Sequence, residues 1–217
     1  MSVVHLVRAE RADLLDLVRA LEPAEWEMPS LCSGWSVREV LAHVLSYEVA
    51  TPRQMLDQAV RGRLLLSGMN AAGVARLDPM SPAELVATLE GHLSPTGPPA
   101  TLFGGRVGLT DALVHQQDVR RALGRPRTVP AERLRPALSF ALAAPPLRGA
   151  WRARGTRVVA TDVGWSFGRG PEVTGPGEAV LMALAGRPHA LADLDGPGLP
   201  RLRRNVGGEA GVSGGAR

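Results

Sequence analysis

Lysine and isoleucine are both absent from the 217-residue chain, so all 25 basic residues are arginine. Arginine keeps its charge far above the pH at which lysine releases a proton, which makes the sequence pI of about 10.7 largely an effect of composition. The formal net charge is only +4. Aromatics make up 4% of the residues, too few to interleave a basic stripe as nucleic-acid surfaces do, and no nucleic-acid partner is expected. Cys32 is the single cysteine, so no intramolecular disulfide forms, in keeping with a reducing compartment. Long apolar runs are missing too. The longest, Pro136 to Leu147, holds three prolines and is too short to span a bilayer, and the start of the chain carries His5, Arg8 and Glu10 instead of a secretory apolar core. The reading is a cytoplasmic protein with no membrane partner.

Hydrophobic residues are 45% of the chain, enough for a sizeable core. Charge is uneven along it. Residues 1–144 balance 15 arginines against 15 acids, and the whole formal excess falls in residues 145–217. The periodicity of apolar residues predicts an amphipathic helix over 3–22, ended by Pro23. Ser36 and Glu39 form a capping box that starts a helix expected to run from Val37 to about Arg61, kinked at Pro52. A helix over Arg63–Leu77 is followed by a firmly signalled one over Pro82–Leu93, with Ser81 as cap, Pro82 in the first turn and Glu84 completing the box. A Pro/Gly-rich loop from Ser94 to Gly108 serves as a crossover or a lid. Helices over Leu109–Leu123 and Ala131–Ala143 come next.

After Pro145 and Pro146 the pattern changes. Short strands are expected over Thr156–Thr161, Trp165–Phe167 and Glu172–Thr174, then an apolar helix over Pro176–Ala185. The Gly/Ser/Ala-rich tail, 207–217, reads as disordered. The fold class is therefore α+β: a helical bundle over 1–144 followed by a small α/β domain over 145–206.

Asp111, His115 and Asp118 stand at i, i+4 and i+7, within about 60° of one another on one helix stripe. A carboxylate and an imidazole one turn apart can share a metal ion. His43 lies on the rim of the Val37, Val40, Leu41, Val44 and Leu45 face. Together His43, Asp111 and His115 would supply three ligands and leave one position open, as catalytic zinc sites do. The same pair at i, i+4 is also a common surface ion pair, and Asp118 fits equally as a ligand, as an acceptor behind one, or as a partner of Arg121. Cys32 reads as a small hydrophobe, or as a thiol near the site. Trp35 reads as filler for the bundle end.

The stretch Pro29-Ser-Leu-Cys-Ser-Gly-Trp-Ser-Val-Arg-Glu-Val-Leu-Ala-His43, with Asp111-Ala-Leu-Val-His-Gln-Gln-Asp-Val-Arg-Arg-Ala-Leu-Gly124, resembles the mycothiol-dependent maleylpyruvate isomerase family of DinB-like metalloenzymes. Residues Trp151 to Trp165 and Gly175 to Arg187 are similar to that family's small second domain. The resemblance implies a DinB-like four-helix bundle holding a divalent metal, usually zinc, through His43, Asp111 and His115. Position 111 has aspartate where the isomerase pattern has glutamate. It further implies mycothiol, a low-molecular-weight thiol, as cofactor, a small electrophile as substrate, and activity as an isomerase or thiol S-transferase in a monomer or homodimer. Arg121, Arg120 and Arg106 are the arginines placed to bind the cofactor and substrate carboxylates, since a guanidinium fork matches a carboxylate. The other reading is a non-catalytic bundle that has become a binding or regulatory module.

Overall fold

The computed structural model describes residues 2–207, and contacts divide the chain into two compact units, Met1–Arg127 and Thr128–Arg217. The first is helical. Its helices are α1 (Val4–Arg19), α2 (Val37–Ser46), α3 (Pro52–Arg61), α4 (Leu66–Leu77), α5 (Pro82–Gly91), the short α6 (Pro98–Thr101) and α7 (Arg106–Ala122). Helices α1, α2, α5 and α7 pack as the four-helix core, with α4 along α2. Leu14 and Val18 of α1, Leu41 and Leu45 of α2, Leu85 and Leu89 of α5 and Val119 of α7 share one apolar cluster. Each such leucine removed from water contributes about 1.5–3 kcal/mol, which is what holds the helices at the spacing the site needs.

Capping decides where several of these helices begin. Ser36 accepts from the Glu39 amide while the Glu39 carboxylate accepts from the Ser36 amide, and the Ser81/Glu84 pair repeats the device at α5. A third box, Thr51 with Gln54, sets Pro52 in the first turn of α3. That box corrects the expectation of one kinked helix from Val37 to Arg61. The chain leaves α2 at Tyr47 and restarts at Pro52. The next helix begins at Leu66 instead of Arg63, because Arg63 and Leu64 take positive φ values of 54° and 60°. The Pro/Gly-rich stretch holds α6, and α7 starts three residues earlier than expected behind Gly105, whose φ of +89° favours glycine.

Charges are buried in this unit only in pairs. Arg11 meets Glu48 at 2.7 Å with both side chains almost wholly covered, and Arg127 pairs with Glu10 and Asp13. Glu48 also accepts from the amides of Thr96 and Gly97, tying the end of α2 to the segment that leads into α6.

The second unit consists of α8 (Ala131–Ala143), α9 (Gly149–Arg152), strands β1 (Arg157–Ala160), β2 (Trp165–Gly168) and β3 (Glu172–Gly175), α10 (Gly177–Leu184) and α11 (Leu199–Gly207). Sheet order is β2-β1-β3, with β1 antiparallel to β2 and parallel to β3. The boundary thus falls before α8, in contrast to the expected division after residue 144. Helix α8 packs on α10, buried at every residue but Glu178, and its Leu134, Ala137, Leu138 and Ala141 need that apolar partner. Gly207 closes α11, an element unforeseen in the sequence, and the rest of the tail expected to be disordered lies outside the described residues.

Candidate metal centre

Helix α7 carries Asp111, His115 and Asp118 along one face, and α2 brings His43 against it. The Asp111 Oδ1 atom lies 3.6 Å from His43 Nε2 and 3.5 Å from His115 Nε2. One ligand atom from each residue lies within 4.8 Å of the others. The two N···O separations exceed the usual 2.7–3.2 Å or so of an N–H···O bond. They are close to the edge, about 3.3–3.4 Å, of a tetrahedron whose bonds are about 2.0–2.1 Å long. Two imidazole nitrogens and one carboxylate oxygen, drawn together at that spacing, fit a divalent metal ion.

His43 and His115 are 3% and 8% exposed, whereas 40% of the Asp111 side chain is open. His43 is therefore sealed into the bundle instead of sitting on an open rim, and the site opens past Asp111. The imidazole rings of His43 and His115 meet edge to face with centroids 4.7 Å apart, and the indole of Trp35 lies 4.8 Å from the His43 ring. Trp35 thus walls the site as well as filling the bundle end. Local structure explains how it gets there. Ser36 begins α2, the Trp35 amide donates to the Cys32 carbonyl, and the Leu31 amide donates to the Asp118 carbonyl on α7. The loop before α2 is pinned to the ligand helix itself.

That pinning brings Cys32 to His115 and Asp118, a second group whose ligand atoms lie within 4.8 Å of one another. His115 Nδ1 stands 3.2 Å from Asp118 Oδ2, and Asp118 is fully buried. Asp118 thus stands at the Nδ1 side of the His115 ring while Nε2 faces Asp111, a placement from which a carboxylate can orient a metal-binding histidine. Burial opposes charge on both partners of the core pair. Even so, His115 and then His43 hold the Asp111 carboxyl well below the usual carboxylate range, and Asp111, Asp118 and Cys32 push His115 well above the usual histidine range.

The arginines divide differently. Arg120 donates to the Asp13 carbonyl of α1, on the side of α7 opposite Asp111, and Arg106 donates to the Phe103 carbonyl at the helix start. Neither is gathered at the three-residue cluster. Arg121 is ten residues from Asp111, about 15 Å along the helix. The sequence reading did not single out Tyr47 and Asn70 as site residues. Tyr47, one turn after His43, presents its ring edge-on at 6.1 Å and donates to Asn70 Oδ1 of α4 at 2.6 Å. Burial and then the Asp111 charge raise the Tyr47 phenol, so it remains a hydrogen-bond donor. Tyrosine at i+4 from a candidate ligand was the one signal available; Asn70 had none.

Comparison with solved structures decides the fold. The chain has the fold of the mycothiol-dependent maleylpyruvate isomerases. It is similar to the crystal structure of a histidine-to-alanine mutant of the mycothiol-dependent maleylpyruvate isomerase, with a TM-score of 0.53 and 12% identity over 89% of this chain and 91% of that one. A crystal structure titled as the isomerase itself has a TM-score of 0.50 and 13% identity over 85% of this chain and 88% of the other. Residues 7–95 match the family model described as the mycothiol maleylpyruvate isomerase N-terminal domain. The matched segment contains His43, Trp35, Tyr47 and Asn70, and it ends before Asp111 and His115. No curated protein matches the chain. The family model covers the Gly34-Trp35 stretch that carried the resemblance, and the fold over both units is that of the isomerases, while the Asp111-to-His115 stretch lies outside the matched segment. No described helix is long and apolar enough to cross a membrane.

Proposed function

We propose that the protein is a metal-dependent enzyme of the mycothiol-using isomerase type, acting as an isomerase or thiol S-transferase on a small electrophile. The observation that carries this reading is the convergence of His43, Asp111 and His115 at metal-ligand spacing beside an opening at Asp111. Zinc is the divalent ion best matched to two imidazoles and one carboxylate. When bound, such an ion supplies the Lewis acidity that keeps a thiol, ordinarily protonated at pH 7, in its thiolate form.

The chain's own residues do the rest. His43 and His115 present Nε2 to Asp111, and Asp118 stands behind His115 at its Nδ1. Asp111 contributes the single negative charge. Its short side chain, one methylene less than glutamate, reaches both imidazoles because α2 and α7 are in direct contact. Trp35 covers one side and excludes water from the His43 ring. In the isomerase version, the thiolate pair forms a C–S bond at a conjugated C=C, whose π pair moves to the carbonyl oxygen. The former double bond rotates, and the pair returns as the thiolate leaves. In the transferase version, protonation at carbon releases the adduct.

The deciding experiment measures metal per chain in protein purified without added metal, then maleylpyruvate isomerisation with mycothiol and with glutathione. One ion per chain and activity with mycothiol are expected. Protein that stays metal-free when offered zinc, or is inactive with every thiol and electrophile tried, would remove the proposal in favour of the binding-module reading.

A further inference from the structure

Helices α3 and α4 enclose a groove of about 270 Å³, lined by Asp57, Gln58 and Arg61 on one side and by Ala72, Ala75 and Arg76 on the other. It exists because α4 presents small side chains to α3. A Cβ at Gly73 would meet Gln58 Nε2 at 2.4 Å and Ser46 Oγ at 2.8 Å, so glycine is what lets the Gln58 amide lie against α4. Gln58 is 2% exposed, yet neither Nε2 nor Oε1 has a hydrogen-bond partner among the described residues. Buried amides are otherwise almost always bonded. Arg76 is half-buried and donates to the Ser46 carbonyl, while its Nε is covered and unpartnered. The covered arginines Arg11 and Arg127 of the same unit each meet a carboxylate, but among the described residues Arg76 meets none, and burial opposes its charge with nothing to offset it. Arg61 is already neutralised by Asp57 at 2.8 Å. The groove therefore holds one uncompensated positive charge beside one uncompleted amide.

We propose that the α3–α4 groove is a binding site for a small hydroxy acid, a monoanion held by Arg76 and Gln58. The charge follows from the lining, because Asp57 and Arg61 cancel and leave only that of Arg76 to be met. A carboxylate is the anion whose planar geometry matches a guanidinium fork. The hydroxyl follows from Gln58. A carboxylate alone accepts from Nε2 and leaves Oε1 unpaired, whereas a neighbouring hydroxyl donates to Oε1 and completes the amide. The size follows from the volume, which is below the 300–1,000 Å³ or so that drug-sized ligands occupy and admits an acid of two or three carbons over the methyl groups of Ala72 and Ala75. The site stands on α3 and α4, whereas the candidate metal ligands are carried by α2 and α7, and it holds whether or not the metal-dependent reading does.

The test uses full-length, zinc-loaded protein labelled at its alanine methyl groups. Glycolate is titrated by calorimetry and by methyl NMR, with propionate, free glycine and inorganic phosphate as the other probes. One glycolate per chain should bind with a Kd of about 1 mM or tighter and shift the signals of Ala72 and Ala75. Propionate, which lacks the hydroxyl, should bind about 10-fold more weakly, the size of one hydrogen bond. Free glycine carries its own cation, and phosphate is not planar; neither should shift the two signals at the same concentrations. Gln58→Glu supplies Arg76 with a carboxylate from within the chain and should abolish glycolate binding. Arg76→Lys keeps the charge without the fork and should weaken it about 10-fold. Glycolate that leaves Ala72 and Ala75 unmoved overturns the inference, whether the groove holds only water or the acid has gone to the metal centre. So does propionate or phosphate that binds in the groove as tightly as glycolate, or Gln58→Glu that binds glycolate as the wild type does. The wild-type methyl shifts and the probe series decide the matter even where a variant fails to fold.

Discussion

Polar side chains are buried in both units of the chain, but among the described residues only the first buries ionisable side chains against one another. In residues 1–127 the buried ionisable side chains Glu10, Arg11, His43, His115 and Asp118 each face another ionisable side chain. In residues 128–207 the buried polar side chains are Arg152, Thr156 and Asn205, and each bonds to backbone carbonyls. Arg152 donates to Leu147 and Leu184, Thr156 to Ala153, and Asn205 to Arg152 and Arg154. A buried group that closes a turn stabilises the backbone it touches. A buried group that faces another buried ionisable group costs desolvation, and the cost persists where the pair has chemistry to perform or elements to tie together. The first unit is where such groups gather, and it holds the candidate centre.

The sharpest way to break that contrast is His115→Ala. Metal retention should fall to background while far-ultraviolet circular dichroism keeps the helical signal, because the apolar cluster of α1, α2, α5 and α7 does not include His115. Loss of helicity together with the metal would make the site a structural staple.

Glu48→Gln tests the tying role. It leaves Arg11 buried without its counter-charge and should cost about 3–5 kcal/mol in urea unfolding at pH 7. Burial opposes the Glu48 charge, but Arg11 and the amides of Gly97 and Thr96 hold its carboxyl below the ordinary value. A carboxyl lowered on folding contributes stability above its unfolded pKa, about 4.3, and loses it as pH falls through the folded value. The gap between wild type and Glu48→Gln should therefore shrink below about pH 4. A gap independent of pH would show that shape and not charge is at work.

The smallest effect is expected from the second unit. Asn205→Ala should cost about 1–3 kcal/mol, the penalty for two carbonyls left without a donor, with zinc per chain unchanged. A change in metal content would erase the distinction between the two kinds of polar burial.

Much of the first unit was legible because its signals are local. Ser36 with Glu39 and Ser81 with Glu84 mark helix starts by chemistry contained in four residues. Asp111 and His115 share a face by helical period alone. The break after α2 was legible in principle, since Thr51, Pro52 and Gln54 form a complete start signal, but the apolar periodicity across it masked the signal. The assignment of α8 to the second unit was not legible, because an apolar stripe does not state which partner will cover it.

By itself, then, the sequence determined the helix starts, the α+β order of the elements and the stripe of metal-binding types on α7, all consequences of interactions within a few residues. Tertiary structure alone decided that His43 would be sealed against that stripe, that Trp35 and Cys32 would close one side through the Leu31 to Asp118 backbone bond, and that Tyr47 would turn the Asn70 amide. Those pairings join segments far apart in the chain. They arise from which apolar faces meet in the core, a property of the packed helices that no single stretch of residues encodes.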